Sequence, residues 1–190
     1  MKKLSSIWVF FMILHLSIFA QEYATIPFFD DFETATISDN WIASPDIAND
    51  GLVDIANDWG ASGSYGLRLG KYSDGSYATN VIDIHLDFSL IADSQLIFNF
   101  SIKDFYENNH SIDGIFFSDN GGLTFTEEPV ILFSAESWTD NEFGRRVNYD
   151  LDKLIIDANL SFSNQFVIRF QQYGTGDFNT SYDEDGLVLD

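Results

Sequence analysis

The sequence predicts an all-β protein, an antiparallel sandwich of two sheets, and three observations predict it. The first is period-two alternation: in "NVIDIHLDF" Ile82, Ile84, Leu86 and Phe88 share one face of a strand, while Asp83, His85 and Asp87 share the other. The second is punctuation by clusters of Gly, Asn, Asp and Ser between short apolar runs, as hairpin-rich sheets require. The third is the absence of any extended 3.6-residue periodicity, with "YDLDKLIIDANLS" alone able to hold a helical turn.

Taken in order, residues 1–20 read as a secretory signal peptide, with Lys2 and Lys3 ahead of the apolar stretch Leu4 to Ala20. A single domain spans 21–190. Its strands are expected at 26–33, 51–56, 64–70, 80–88, 95–105, 112–118, 123–126, 129–134, 145–150, 164–173 and 186–190. In "QLIFNFSIKDF", Leu96, Phe98, Phe100 and Ile102 point inward, and in "NQFVIRFQQY" Phe166, Ile168 and Phe170 do the same. The run "DEDGLVLD" stops at Asp190 without a closing turn, so the natural product is expected to continue beyond it.

Composition narrows the class. The chain has no cysteine, so disulfides cannot hold an exported domain together and core burial or bound metal must. Its nine basic residues against 30 acidic give a net charge of -21, and loss of Lys2 and Lys3 with the leader takes this to -23. Such a surface repels nucleic acid and anionic membranes. With 45% hydrophobic residues and 19 Phe, the chain nevertheless has ample material for a core.

Motifs for catalysis are missing. Neither His85 nor His110 is followed by Glu, no Gly-x-Ser-x-Gly elbow occurs, and no strand carries the Glu-x-Asp-x-x-Glu spacing of a glycosidase. His85 is expected on the solvent side of its strand. "DIANDGLVDIAND" places Asp46, Asp50, Gly51 and Asp54 at EF-hand-like positions, but Ala48 and Asn57 occupy two ligand positions, so a strand at 51–56 is the expectation. "SDNGGLTF" fits an Asp-box with Asn120 in place of Asp; Ser118, Gly122, Thr124 and Phe125 read as a structural turn. The Asn-x-Ser/Thr sequons at Asn99, Asn109, Asn159 and Asn179 are read as chance, because the leader is of bacterial type.

The segments "PFFDDFE", "SGSYGLRLG", "ATNVIDIHLDFS", "DGIFFSDNGGLTF", "FVIRFQQY" and "DGLVLD", in that order, resemble a family of bacterial extracellular modules. These are the jelly-roll domains related to MAM domains, reelin subrepeats and the choice-of-anchor J domain of Bacteroidetes surface proteins. The resemblance spans nearly all of 26–190. It implies a concanavalin- or galactose-binding-like jelly roll with no catalytic centre, used as a repeated or accessory module. It further implies one structural calcium between the first strand, the last strand and the loop before "YGLRLG", with Asp31, Glu33 and Asp190 as ligands. Which of Asp30, Asp31 and Glu33 faces the metal stays open, as does whether these acids are simply exposed at a strand edge.

The resulting expectation is a non-catalytic binding or adhesion module of a secreted or cell-surface protein. Its partner would be a polysaccharide or an extracellular protein, with no membrane insertion once the leader is gone. Trp59, Tyr72 and Trp138 are the candidate ligand contacts, since aromatic rings in or beside loops can stack on sugars. The alternative is an accessory domain of a secreted peptidase or glycosidase whose catalytic domain lies beyond residue 190.

Overall fold

The structure, a computed structural model, describes residues 21–73, 76–91, 95–104, 110–133, 143–175 and 186–190. The signal peptide expected at 1–20 lies outside the described residues, as do Trp138 and the sequon positions Asn109 and Asn179.

The strands, in chain order, are β1 (Ala24–Thr25), β2 (Trp41–Ser44), β3 (Gly51–Asn57), β4 (Tyr65–Lys71), β5 (Ala78–Asp87), β6 (Ile97–Asp104), β7 (Gly114–Ser118), β8 (Ile131–Leu132), β9 (Phe143–Asp150), β10 (Phe166–Gly174) and β11 (Leu187–Leu189). They form two sheets. A six-stranded sheet runs β1-β5-β10-β7-β8, with β2 also on β5, and a five-stranded sheet runs β3-β4-β11-β6-β9. Neighbours far apart in sequence sit side by side, as in a jelly roll: β11 enters between β4 and β6. The pairings are antiparallel apart from the short β1–β5 ladder, which is parallel.

Alternation places the core as expected. Ile82, Ile84, Phe166 and Ile168 from the first sheet face Leu67, Leu69, Ile102 and Leu189 from the second, all essentially buried. Each such side chain contributes about 1.5–3 kcal/mol by leaving water. Aromatic rings tie the layers together. Phe170 of β10 lies 5.6 Å from Phe100 and 6.1 Å from Phe98 of β6, and 6.2 Å from Trp41 of β2, centroid to centroid. A polar bridge does similar work at one end, where Asn80 Nδ2 donates to Gly70 O at 2.6 Å across the sheets and to Gln172 Oε1 at 2.9 Å.

The helical turn is present as α1 (Leu151–Asp157). Asp150 caps it by accepting the Lys153 N–H at 2.9 Å, Leu151 and Ile155 face inward, and Asn159 ends it in the left-handed region.

Four expectations are corrected. Residues 26–33 form no strand: Pro27 has no N–H to donate, and the amides of Phe32 and Glu33 are taken by the side chains of Asp30 and Asp31 in Asx turns. Residues 123–126 form no strand either, because the Thr124 N–H is drawn into the turn by Asn120 Oδ1 at 3.0 Å. Strand β2 was not foreseen; its four residues are too few to show a period. His85 is buried at 5% exposure rather than solvated. It points away from the core, but Tyr23 closes over it with ring centroids 5.2 Å apart, and β2 and β10 flank its strand.

Candidate functional site

The site grows from one loop. Between β3 and β4 the chain reverses through residues 58–64, with Asp58 and Trp59 both donating their N–H groups to Ser64 O. Asp58 sits in the left-handed region at φ 68°. Four further amides, those of Ala61, Ser62, Ser64 and Tyr65, donate to two carboxylates from distant parts of the domain. Glu33 Oε1 takes the N–H of Ser64 and of Tyr65, each at 2.8 Å. Asp190 Oδ2 takes the N–H of Ser62 at 2.8 Å and that of Ala61, while Ser62 Oγ reaches Asp190 Oδ1 at 3.5 Å. Gly63 lies against the Glu33 carboxylate so closely that a Cβ there would overlap it. First segment, last strand and loop are thereby joined.

Of the three acids expected to hold calcium, the structure brings Glu33 and Asp190 onto one loop. Asp31 instead accepts the Glu33 N–H at 3.2 Å, fixing the turn that aims Glu33. Asp30 turns inward, its Oδ1 taking the Phe32 N–H at 2.9 Å and its Oδ2 the Trp41 Nε1–H at 3.0 Å. No group of three or more His, Asp and Glu gathers among the described residues.

Trp59 belongs to the same loop. Its backbone carbonyl rests on Gly66, where a Cβ would come within 2.5 Å of it, and its ring lies under the Arg68 guanidinium, 5.2 Å from carbon to centroid. Arg68 also forks onto Asp54 of β3, through Nε to Oδ1 at 2.8 Å and Nη2 to Oδ2 at 2.7 Å. Trp59 is therefore half-buried on the outward face of the five-stranded sheet. Tyr72, at the other end of β4, is 60% exposed and borders a shallow cleft of about 280 Å³ with Pro45, Ile47, Asp50, Gly51, Leu52 and Val53. The two candidate contacts thus stand at opposite ends of one strand.

Trp41 and Tyr77 are packed against other rings. Trp41 packs into the core against Phe32, 5.5 Å away, and Tyr77 stacks on Tyr173 at 4.7 Å with His110 edge-on to both. The Asp-box is a turn, as its spacing indicated. Ser118 Oγ accepts the Gly122 N–H at 3.0 Å, Gly121 and Gly122 take positive φ, and Phe125 carries the Arg169 guanidinium 3.6 Å above its ring. Asp46 accepts Asn49 Nδ2–H at 2.9 Å and the Thr79 N–H at 3.4 Å; the side-chain bond with Asn49 is the main cause that holds its carboxyl below the ordinary value. That places Asp46 as the brace of a 3-10 turn leading into β3.

Sequence reasoning named Asp54 only within an EF-hand-like loop, and singled out neither Arg68 nor its pairing with Asp54. The signal available was their alternation with core residues in "VDI" and "LRL", which puts them on the outward face.

No family model matches the chain, and no curated protein matches it. Among solved structures it is similar to the first CBM22 xylan-binding domain of Xyn10C from Paenibacillus barcinonensis, with 11% identity and a TM-score of 0.43 over 80% of this chain and 83% of that one. It is similar to the second CBM22 xylan-binding domain of the same protein, with 11% identity and a TM-score of 0.40 over 84% and 92% of the two chains. It is also similar to the tandem of the two domains, with 10% identity and a TM-score of 0.37 over 85% of this chain and 47% of that one.

Proposed function

We propose that this chain is a non-catalytic extracellular binding module whose partner is a polysaccharide. The observation that carries the reading is the placement of Trp59: a loop tied down by both ends of the domain lays an indole on an outward sheet face beside a bidentate Arg68–Asp54 pair. An aromatic ring offers a flat apolar surface to a sugar, and the paired ions offer fixed donors and acceptors to hydroxyls. Because the loop is tied down and the ring is stacked on a cation, little freedom is lost on binding.

Calcium belongs to the same reading. Glu33 and Asp190 each direct one oxygen to loop amides, and their other oxygens, Oε2 and Oδ1, are hard donors of the kind calcium takes. Two carboxylates fall short of the usual six to eight oxygens, so loop carbonyls, hydroxyls and water would complete the shell. Bound there, the ion would supply the cross-link that a cysteine-free domain lacks.

The test is retardation of the protein in gels cast with soluble polysaccharides of different chemistry, beside Trp59→Ala. Retardation by at least one polysaccharide, weakened roughly tenfold or more in Trp59→Ala, is expected. Migration unchanged by every polysaccharide would overturn the reading.

A further inference from the structure

His85 lies on the outward face of the six-stranded sheet, yet it is buried, and among the described residues neither of its ring nitrogens has a hydrogen-bond partner. A neutral imidazole carries one N–H donor and one acceptor, and leaving both unmatched away from water costs stability. The cover comes from the segment that opens the domain. The Tyr23 ring stands edge-on to the imidazole, and its hydroxyl reaches the Asp-box turn, where a Cβ on Gly121 would come within 3.3 Å of it. Beneath this segment the sheet runs in register from His85 of β5 to Val167 of β10 and Ser118 of β7, all three buried although they face away from the core.

The cover is lightly held. β1 gives it the ladder pairs Ala24 with Leu86 and Thr25 with Asp87, and Gln21 Nε2 donates to Asp39 O at 2.9 Å. β5 and β10 below it pair without a break from Phe166 to Gly174. If one part yields, it is the two-residue strand, since local opening takes the elements with fewest contacts first.

We propose that residues 21–25 are a strap that opens when His85 is protonated, baring the row His85, Val167 and Ser118. An imidazolium has two N–H donors and a full charge, and must find an acceptor or water. Its charged and polar neighbours are committed or face solvent. Along β5, Asp83 forks onto Arg169 of β10 through Nε and Nη2, each at 2.8 Å, and turning to His85 would strand that guanidinium; Asp87 accepts the Ser89 N–H at 2.8 Å. Beside β2, Asn40 O already takes the His85 N–H, and Asp39 is exposed. β10 presents Val167, and the turn presents Asp119, whose carboxylate takes the Ser161 N–H at 2.9 Å. The strap itself brings the Tyr23 hydroxyl and an exposed Glu22. Water is therefore the partner, and it enters by lifting Tyr23.

The sign follows from burial. Desolvation lowers the His85 pKa while the strap is shut, against the smaller pull of Asp83. The open form binds the proton more readily, so closure is complete above the ordinary imidazole value of about 6.5 and is lost below it, by up to roughly tenfold per pH unit. Carboxyl groups as a class titrate near about 4, below this window.

The test is deuterium uptake by the whole protein at about pH 7.5 and about pH 5, each rate divided by the intrinsic exchange rate at that pH. Uptake in residues 21–26 should rise roughly tenfold or more on acidification while 166–174 stays unchanged. His85→Phe should keep the strap shut at both pH values, with His85→Gln as the second variant should that one not fold, and Tyr23→Ala should exchange fast at both. Uptake in 21–26 that ignores pH overturns the proposal. An equal rise in the His85 variants assigns the opening to other groups and overturns it as well. A parallel rise in 166–174 shows the whole domain unfolding rather than a strap, and a Tyr23→Ala variant that behaves as the unaltered protein removes Tyr23 as the cover.

Discussion

Asp190 accepts the backbone N–H of Ser62 at 2.8 Å across 128 positions of sequence, so the last strand of the domain is fastened to the loop that carries Trp59. Glu33 fastens the other end of the chain to the same loop two residues further on, at Ser64 and Tyr65.

Glu33→Ala leaves two amide donors to water and frees the loop. Hydrogen bonds to a charged group contribute about 1.5–3 kcal/mol when buried, and exposure of Glu33 brings this to about 1 kcal/mol, a fall in Tm of roughly 2–4 °C. Gly63→Ala should reproduce the loss, since its Cβ would displace the Glu33 carboxylate. Thermal unfolding of both variants checks this, and an unchanged midpoint in both would remove the clip from the stability of the fold.

On the opposite sheet, Arg169 grips Asp83 through Nε and Nη2, each at 2.8 Å, and lies on Phe125. Asp83 is 8% exposed. Asp83→Ala strands a half-buried guanidinium and should cost about 2–3 kcal/mol in denaturant unfolding, whereas Asp83→Leu combined with Arg169→Met should recover most of it. A double variant as unstable as the single one would show that packing, not pairing, sets the cost.

Burial lowers the pKa of His85, against a smaller opposing pull from Asp83. Among the described residues, neither ring nitrogen has a hydrogen-bond partner. The unfolded chain therefore binds the imidazole proton more readily than the folded one, and unfolding free energy rises with pH while that holds. Stability is full above the ordinary imidazole value of about 6.5 and is lost as pH falls from there toward the lowered folded-state value. His85→Gln should flatten the pH dependence of Tm between about 7 and 5, above the main carboxylate range. An identical slope in the variant would assign it to other groups.

Asn80 is buried with its amide shared between Gly70 O and Gln172 Oε1. Asn80→Leu keeps the volume but leaves both acceptors without that donor, and should destabilise by about 1–3 kcal/mol, read as a lower denaturant midpoint at constant slope.

Strands with strict alternation are legible in the sequence. β5, β6 and β10 follow the pattern of Ile82, Phe100 and Ile168, because the pleat sends alternate residues to opposite faces. Short pieces were not: β2 has too few residues for a period, and 26–33 looked strand-like until the side chains of Asp30 and Asp31 took amides a ladder would have used. His85 was misplaced because alternation tells which face a residue takes and is silent on whether another segment, here Tyr23, covers that face. Glu33 and Asp190 were nameable only through family likeness. Their meeting at one loop depends on long-range topology that spacing in a sequence does not encode. The Arg68–Asp54 pair beside Trp59 needs β3 and β4 in register, so no stretch of sequence displays it.

Thermal unfolding of the protein in millimolar calcium, and again in excess chelator, tests the clip most directly. A ligand that binds only the folded state stabilises it with the logarithm of its concentration over Kd. Calcium should raise Tm by several degrees in the unaltered protein and leave Glu33→Gln and Asp190→Asn unmoved. Equal midpoints with and without calcium in the unaltered protein would contradict the metal-bridged clip and leave only the carboxylate–amide bonds of Glu33 and Asp190 to join the ends of the domain to the loop.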